Sequence, residues 1–129
     1  MNLENIVAVS GMSGLYKMAG SRNNGLIIED FDTGKRRFAS IRKHQFTPLE
    51  SVSIYTITDT APLADVFKKM LDASNIPDPK TDALSLQEFF EGILPDYDED
   101  KVLTSDIRKI IKWFTFLRDR KALHSEEEE

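Results

Sequence analysis

Cysteine is absent from the 129-residue chain. That excludes disulfides, thiolate nucleophiles, iron–sulfur clusters and cysteine-ligated zinc. No apolar run approaches the ~20 residues that a bilayer-crossing helix needs. The opening Met1-Asn2-Leu3-Glu4-Asn5 carries an acid where a secretory leader carries bases, and the apolar stretch after it is short. There are only two histidines, His44 and His124, and the second sits close to the C-terminus. A serine triad therefore has little to stand on. These absences predict a soluble globular protein of the cytoplasm, with no cofactor, no metal and no membrane partner.

What is present suffices for a core. With 40% hydrophobic and 30% charged residues, a chain of this length buries about two-thirds of its unfolded surface, enough for one core or two small ones. Charge is unevenly spread. Residues 1–58 hold seven bases and five acids, a net of +2, whereas residues 59–129 hold ten and seventeen, a net of −7. Four of those acids are the terminal glutamates, so residues 122–129 read as a disordered acidic tail. The overall acid excess argues against a protein that grips long nucleic acid through its net field, while leaving room for a local basic patch.

The first half has the rhythm of short strands. Ile6-Val7-Ala8-Val9 is a β-branched run halted by Ser10-Gly11-Met12-Ser13-Gly14, and Leu15-Tyr16-Lys17-Met18 follows. Asn24-Gly25 tolerates the positive φ of a hairpin turn, and Asp32-Thr33-Gly34 is a second turn signal. Between and after them lie Leu26-Ile27-Ile28-Glu29-Asp30-Phe31, Lys35-Arg36-Arg37-Phe38-Ala39-Ser40-Ile41, and the cleanly alternating Ser51-Val52-Ser53-Ile54-Tyr55-Thr56-Ile57. Five strands within about 55 residues cover an apolar face best by curling, so the spacing predicts an SH3-like small β-barrel over residues 1–58.

The period changes near residue 60. Asp59 or Thr60 is the expected cap of a helix with Pro62 in its first turn, and Leu63, Val66, Phe67, Met70 and Leu71 form its apolar stripe. Ser74-Asn75-Ile76-Pro77-Asp78-Pro79-Lys80 reads as a flexible connector. Ser85-Leu86-Gln87-Glu88 reads as a capping box opening a second helix, with Leu86, Phe89, Phe90 and Ile93 on one face and Pro95 as its stop. Thr104 or Ser105 caps the longest helix, with the stripe Ile107, Ile110, Ile111, Phe114 and Leu117. The prediction is an α+β protein in which a three-helix segment, residues 59–121, packs against the barrel.

Several segments carry a resemblance: Ile6-Val7-Ala8-Val9-Ser10-Gly11 with Gly14-Leu15-Tyr16-Lys17, Ser53-Ile54-Tyr55-Thr56, Pro62-Leu63 with Val66-Phe67, Leu94-Pro95-Asp96-Tyr97-Asp98, and Ser105-Asp106-Ile107 with Lys112-Trp113. Over roughly residues 3–121 the chain resembles a small bacterial family of unknown function, with an N-terminal β piece and a C-terminal helical piece. The resemblance implies an architecture and a bacterial origin. It brings no catalytic signature and no functional residue.

Candidate chemistry is sparse. Gly11-Met12-Ser13-Gly14 lacks the lysine and hydroxyl pair of a phosphate loop and places Gly14 one position early for a nucleophile elbow, so a plain turn accounts for it. Asp96-Tyr97-Asp98-Glu99-Asp100 looks like the front of a calcium loop, but Lys101 stands where the turn glycine belongs and Ile107 where the bidentate glutamate belongs. The most suggestive cluster is basic: Lys35, Arg36, Arg37, Arg42, Lys43 and His44, flanked by Phe38 and Phe46. A solvated strand edge that resists aggregation explains such a run; weak single-stranded nucleic-acid binding or an acidic partner is the functional alternative. Lys35 and Arg36 are expected on opposite strand faces, with Phe38 in the core. Trp113 and Phe116 widen the last helix's stripe and suit either packing or a partner contact. The leading expectation is a non-catalytic interaction module that meets an unknown protein partner or self-associates, acting through the barrel rim or the last helix. Nucleic-acid binding through residues 35–44 comes second, and small-molecule binding or catalysis third.

Overall fold

The β-branched run forms β1 (Ile6–Val9), followed by β2 (Leu15–Arg22), β3 (Gly25–Asp30), β4 (Arg36–Ser40) and β5 (Phe46–Pro48) in a computed structural model that describes residues 3–73 and 75–123. These five strands make one antiparallel sheet in the order β4-β3-β2-β1-β5. The expected α+β class is present, with this sheet and three α-helices. No pairing joins the end strands β4 and β5, so no closed barrel forms among the described residues.

The chain divides into two units, Leu3–Val52 and the residues from Ser53 onward. In the first, Val7, Val9, Ile28 and Ala39 are buried on one face of the sheet, with Met12, Tyr16, Leu26 and Phe46 packed against them. A register shift between Met18 and Gly20 leaves one extra residue on β2, a bulge that adds twist. Two expectations change here. The fifth strand is Phe46–Pro48, paired with β1, whereas Leu49–Ser51 is a 3-10 turn and the alternating Ser53-Ile54-Tyr55 belongs to the second unit. The β2–β3 turn is Asn23-Asn24, because Arg22 pairs with Gly25, and neither asparagine has positive φ. Glycine is required at 25 for room instead: a Cβ there would lie 2.1 Å from the Ala39 carbonyl oxygen and 2.7 Å from the Phe38 ring.

In the second unit, β6 (Ser53–Tyr55) pairs with β7 (Thr60–Pro62). That pairing takes Thr60, and Asp59 closes the turn before it with Thr56, so neither expected cap serves and α1 (Leu63–Asp72) starts after Pro62. Leu63, Val66, Phe67 and Met70 are buried as the stripe predicts, while Leu71 at its margin is exposed. α2 (Ala83–Ile93) begins ahead of the expected box: Asp82 accepts the Ser85 backbone N–H at 3.0 Å and its hydroxyl at 2.9 Å. The Ser85 N–H, then its hydroxyl, hold the Asp82 carboxyl below the usual carboxylate range. A depressed pKa means the cap stabilises above the unfolded value and is lost as pH falls through the folded one. Pro95 ends the helix as expected.

α3 (Thr104–Asp119) starts one residue early, with Leu103 as its cap and the Asp106 carboxylate accepting the Leu103 N–H at 2.9 Å. It closes on Lys121 at φ 56°, where Ala122 N–H reaches the Leu117 carbonyl, a Schellman ending without glycine. Its full stripe, Ile107, Ile110, Ile111, Phe114 and Leu117, is buried. No helix among the described residues is long and apolar enough to cross a membrane. Of the expected acidic tail, residues 124–129 lie outside the described residues, as does Ser74 of the expected connector.

The far end of that connector is tied to α3. Arg108 donates to the Pro79 carbonyl at 3.0 Å and to the Thr81 carbonyl at 3.2 Å. Arg108→Ala is expected to lower stability by about 2 kcal/mol, because charged hydrogen-bond donors to a partly buried backbone contribute at that level. Urea unfolding checks it, and Arg108→Lys should restore little, since one ammonium does not reproduce the two-pronged guanidinium.

Candidate functional site

Strand alternation sorts the basic cluster. Glu29 faces Arg36 and Ile28 faces Arg37 across the β3–β4 pair, so the two arginines project from opposite faces. Arg36 is neutralised there by a 2.9 Å ion pair with Glu29. Arg37 projects on the face of Ile28, where its guanidinium donates to Met12 Sδ at 3.5 Å and meets no carboxylate among the described residues. Lys35, just before β4, is exposed, and its ammonium has no partner among the described residues.

On this face lies a groove of about 400 Å³ lined by Tyr16, Ile28, Asp30, Thr33, Lys35, Arg36 and Arg37. Tyr16 and Ile28 form an apolar floor. Asp30 stands opposite Tyr16, and its Oδ1 accepts the Asp32 and Thr33 N–H groups at 2.7 and 2.9 Å. Asp30 thus builds the tight turn that carries Thr33, Gly34 (φ 72°) and Lys35. The chemistry on offer is an apolar contact beside two cations, Lys35 and Arg37, with the Asp30 carboxylate tied into the turn by the Asp32 and Thr33 N–H groups.

The remaining candidates lie elsewhere. Arg42 and Lys43 sit in the turn after β4, outside the groove, and their exposed side chains have no partner among the described residues. His44 Nδ1 donates to the Ser10 carbonyl at 2.8 Å, while Ser10 Oγ accepts the Gln45 N–H at 2.7 Å. His44 thereby ties the 10–14 turn to the 41–45 turn. Phe38, expected in the core, is 46% exposed, on the face opposite Arg37. It therefore cannot continue a stacking surface with Tyr16. Trp113 and Phe116 are half-buried on α3. The Phe116 ring lies 3.6 Å from the Arg120 guanidinium, which also donates to the Phe116 carbonyl at 3.1 Å. The groove thus gathers the cations of Lys35 and Arg37, while Arg36 borders it and keeps its guanidinium with Glu29 on the other face; Arg42, Lys43, Trp113 and Phe116 are not among its lining residues.

The calcium-like segment folds differently. Tyr97 is buried and bridges to Thr56, and burial, with Glu99 and Glu91 nearby, pushes its hydroxyl pKa up. Asp98 Oδ1 accepts the Asp100 N–H at 3.0 Å. No three acidic, histidine or cysteine side chains converge to hold a metal among the described residues. Sequence reasoning missed Tyr16, Ile28, Asp30 and Thr33 as groove residues. The signal was alternation, but it becomes usable only once the pairing across the bulge is known.

Comparison with known proteins gives matches along the chain. A family model described as a domain of unknown function (DUF5606) matches residues 3–49, and a second (DUF6852) matches residues 52–117. No curated protein matches. A solution NMR structure from Bacteroides vulgatus is similar at 32% identity and a TM-score of 0.75, over 95% of this chain and 90% of that one. On this match and this relative, the chain belongs to the bacterial DUF6852 family, its N-terminal sheet corresponding to the DUF5606 domain.

Proposed function

We propose that this protein is a non-catalytic protein-interaction module of the bacterial cytoplasm, and that it binds through the N-terminal sheet. The observation that carries this reading is the groove, in which the half-buried Tyr16, packed over the buried Ile28, offers apolar contact beside the cations of Lys35 and Arg37. The strand order also supports regarding the open sheet as an SH3-like half-barrel. A chain free of cysteine suits a reducing compartment. Single-stranded nucleic acid is the weaker reading, because Phe38 and Tyr16 face opposite ways and give no row of stacking platforms.

Capture from the native bacterium tests the proposal. The full chain should retain a specific protein after nuclease treatment, and Lys35→Glu/Arg37→Glu should reduce that recovery about tenfold or more. Lys109→Glu, on the exposed side of α3, should leave it unchanged. Recovery that survives the double charge reversal, or that vanishes with nuclease, contradicts the reading.

A further inference from the structure

We infer that the partner contributes an extended acidic segment that pairs along β4 as a sixth strand, an inference that rests on the interaction-module reading above. The backbone parity of β4 leads to it. Asp30 N–H donates to the Lys35 carbonyl at 2.9 Å and Ile41 N–H to the Asn24 carbonyl at 3.0 Å, in step with the pairs Ile28–Arg37 and Leu26–Ala39. Residues 35, 37, 39 and 41 therefore turn their backbone groups toward β3. Arg36 and Phe38 turn theirs outward, to an edge with no further strand among the described residues. Beyond them the Ser40 carbonyl is taken by the Lys43 and His44 N–H groups. The opposite edge, β5, has only three residues, and Pro48 lacks a donor. β4 is the edge equipped to accept a strand.

The side chains select the occupant. On the groove side an added strand would run beside Lys35 and Arg37, which no carboxylate neutralises among the described residues. On the other side it would meet Phe38, which pairs across with Ile27. A segment alternating acidic and apolar residues satisfies both faces. A second copy of this edge would instead set Lys35, Arg36 and Arg37 against their own kind, which like charge disfavours. Nucleic acid has no backbone N–H and C=O row to match the edge.

The test is amide NMR on the full ¹⁵N-labelled chain, titrated with an N-acetylated, C-amidated hexapeptide alternating Glu and Val. Saturable shifts are expected, with slowed hydrogen exchange at the Arg36 and Phe38 amides. Replacing the peptide's glutamates by lysine, N-methylating its alternate amides, or Arg37→Glu in the protein should each weaken binding about tenfold or more. The spectrum of Arg37→Glu alone reports whether that variant remains folded. No binding, no slowing at Arg36 and Phe38 on saturation, or undiminished binding of the N-methylated peptide overturns strand addition. Those results leave the interaction-module reading to the capture experiment, which fails only if recovery ignores Lys35 and Arg37 or depends on nucleic acid.

Discussion

Phe114→Ala is expected to destabilise the protein by about 3–5 kcal/mol, the range for deleting a fully buried aromatic ring. Phe114 is 1% exposed on α3. Its ring meets that of Phe67 on α1 edge-on, with centroids 5.7 Å apart and planes at 65°. Alanine removes both the buried area and the partner of a second buried ring. Small domains have total stabilities of roughly 5–15 kcal/mol, so the loss takes a large share. Phe114→Leu keeps most of the volume and should cost less, about 1–2 kcal/mol. Denaturant unfolding followed by far-UV circular dichroism separates the two. An alanine variant within about 1 kcal/mol of the parent would contradict the packing described.

Gly25→Ala is expected to cost about 3 kcal/mol or to prevent the sheet from forming, although it adds one methyl group. The added carbon would lie 2.1 Å from the Ala39 carbonyl oxygen, a backbone atom of β4. A flexible side chain could swing away, but this carbonyl belongs to the strand ladder and moves only if β3 and β4 separate. Phe38→Ala would clear the 2.7 Å ring contact and still leave the carbonyl in place, so it should not rescue Gly25→Ala. Gly11→Ala offers a contrast: its φ is +77° but its surroundings are open, leaving only the left-handed strain of about 1–2 kcal/mol. Thermal unfolding of the three variants ranks them. A Gly25→Ala chain as stable as Gly11→Ala would refute the steric reading.

The helices were the most legible part of the sequence. A 3.6-residue stripe is a local property, and every residue of the α3 stripe is buried. Helix starts were less legible. Asp82 competes with Ser85 for one cap and wins by accepting from Ser85 itself, while β7 consumes Thr60 through pairing. The strands were legible as strands, but their partners were not. Ser53-Ile54-Tyr55 alternates as cleanly as a member of the main sheet, yet pairs with residues 60–62, because nothing in alternation names the neighbour. Asn24-Gly25 signals a turn correctly for the wrong reason, since the glycine serves a close backbone approach.

Of the site, the cations were legible and the groove was not. Alternation alone placed Lys35 and Arg36 on opposite faces, and the β3–β4 register separates Arg36 from Arg37 by the same rule. Which face carried the apolar floor depended on the register linking Tyr16, Ile28 and Arg37, set by long-range pairing and a bulge. Phe38 went astray for the same reason: hydrophobicity suggested the core, whereas its register puts it at the outer edge of the sheet, 46% exposed.

The most direct measurement is amide-shift mapping of the full chain with the protein it captures. Perturbations should concentrate at Tyr16, Ile28, Lys35 and Arg37 and disappear with Lys35→Glu/Arg37→Glu. Perturbations confined to α3 around Trp113 and Phe116, or to the exposed Tyr55 and Ile57, would place binding on the second unit and contradict the assignment to the sheet.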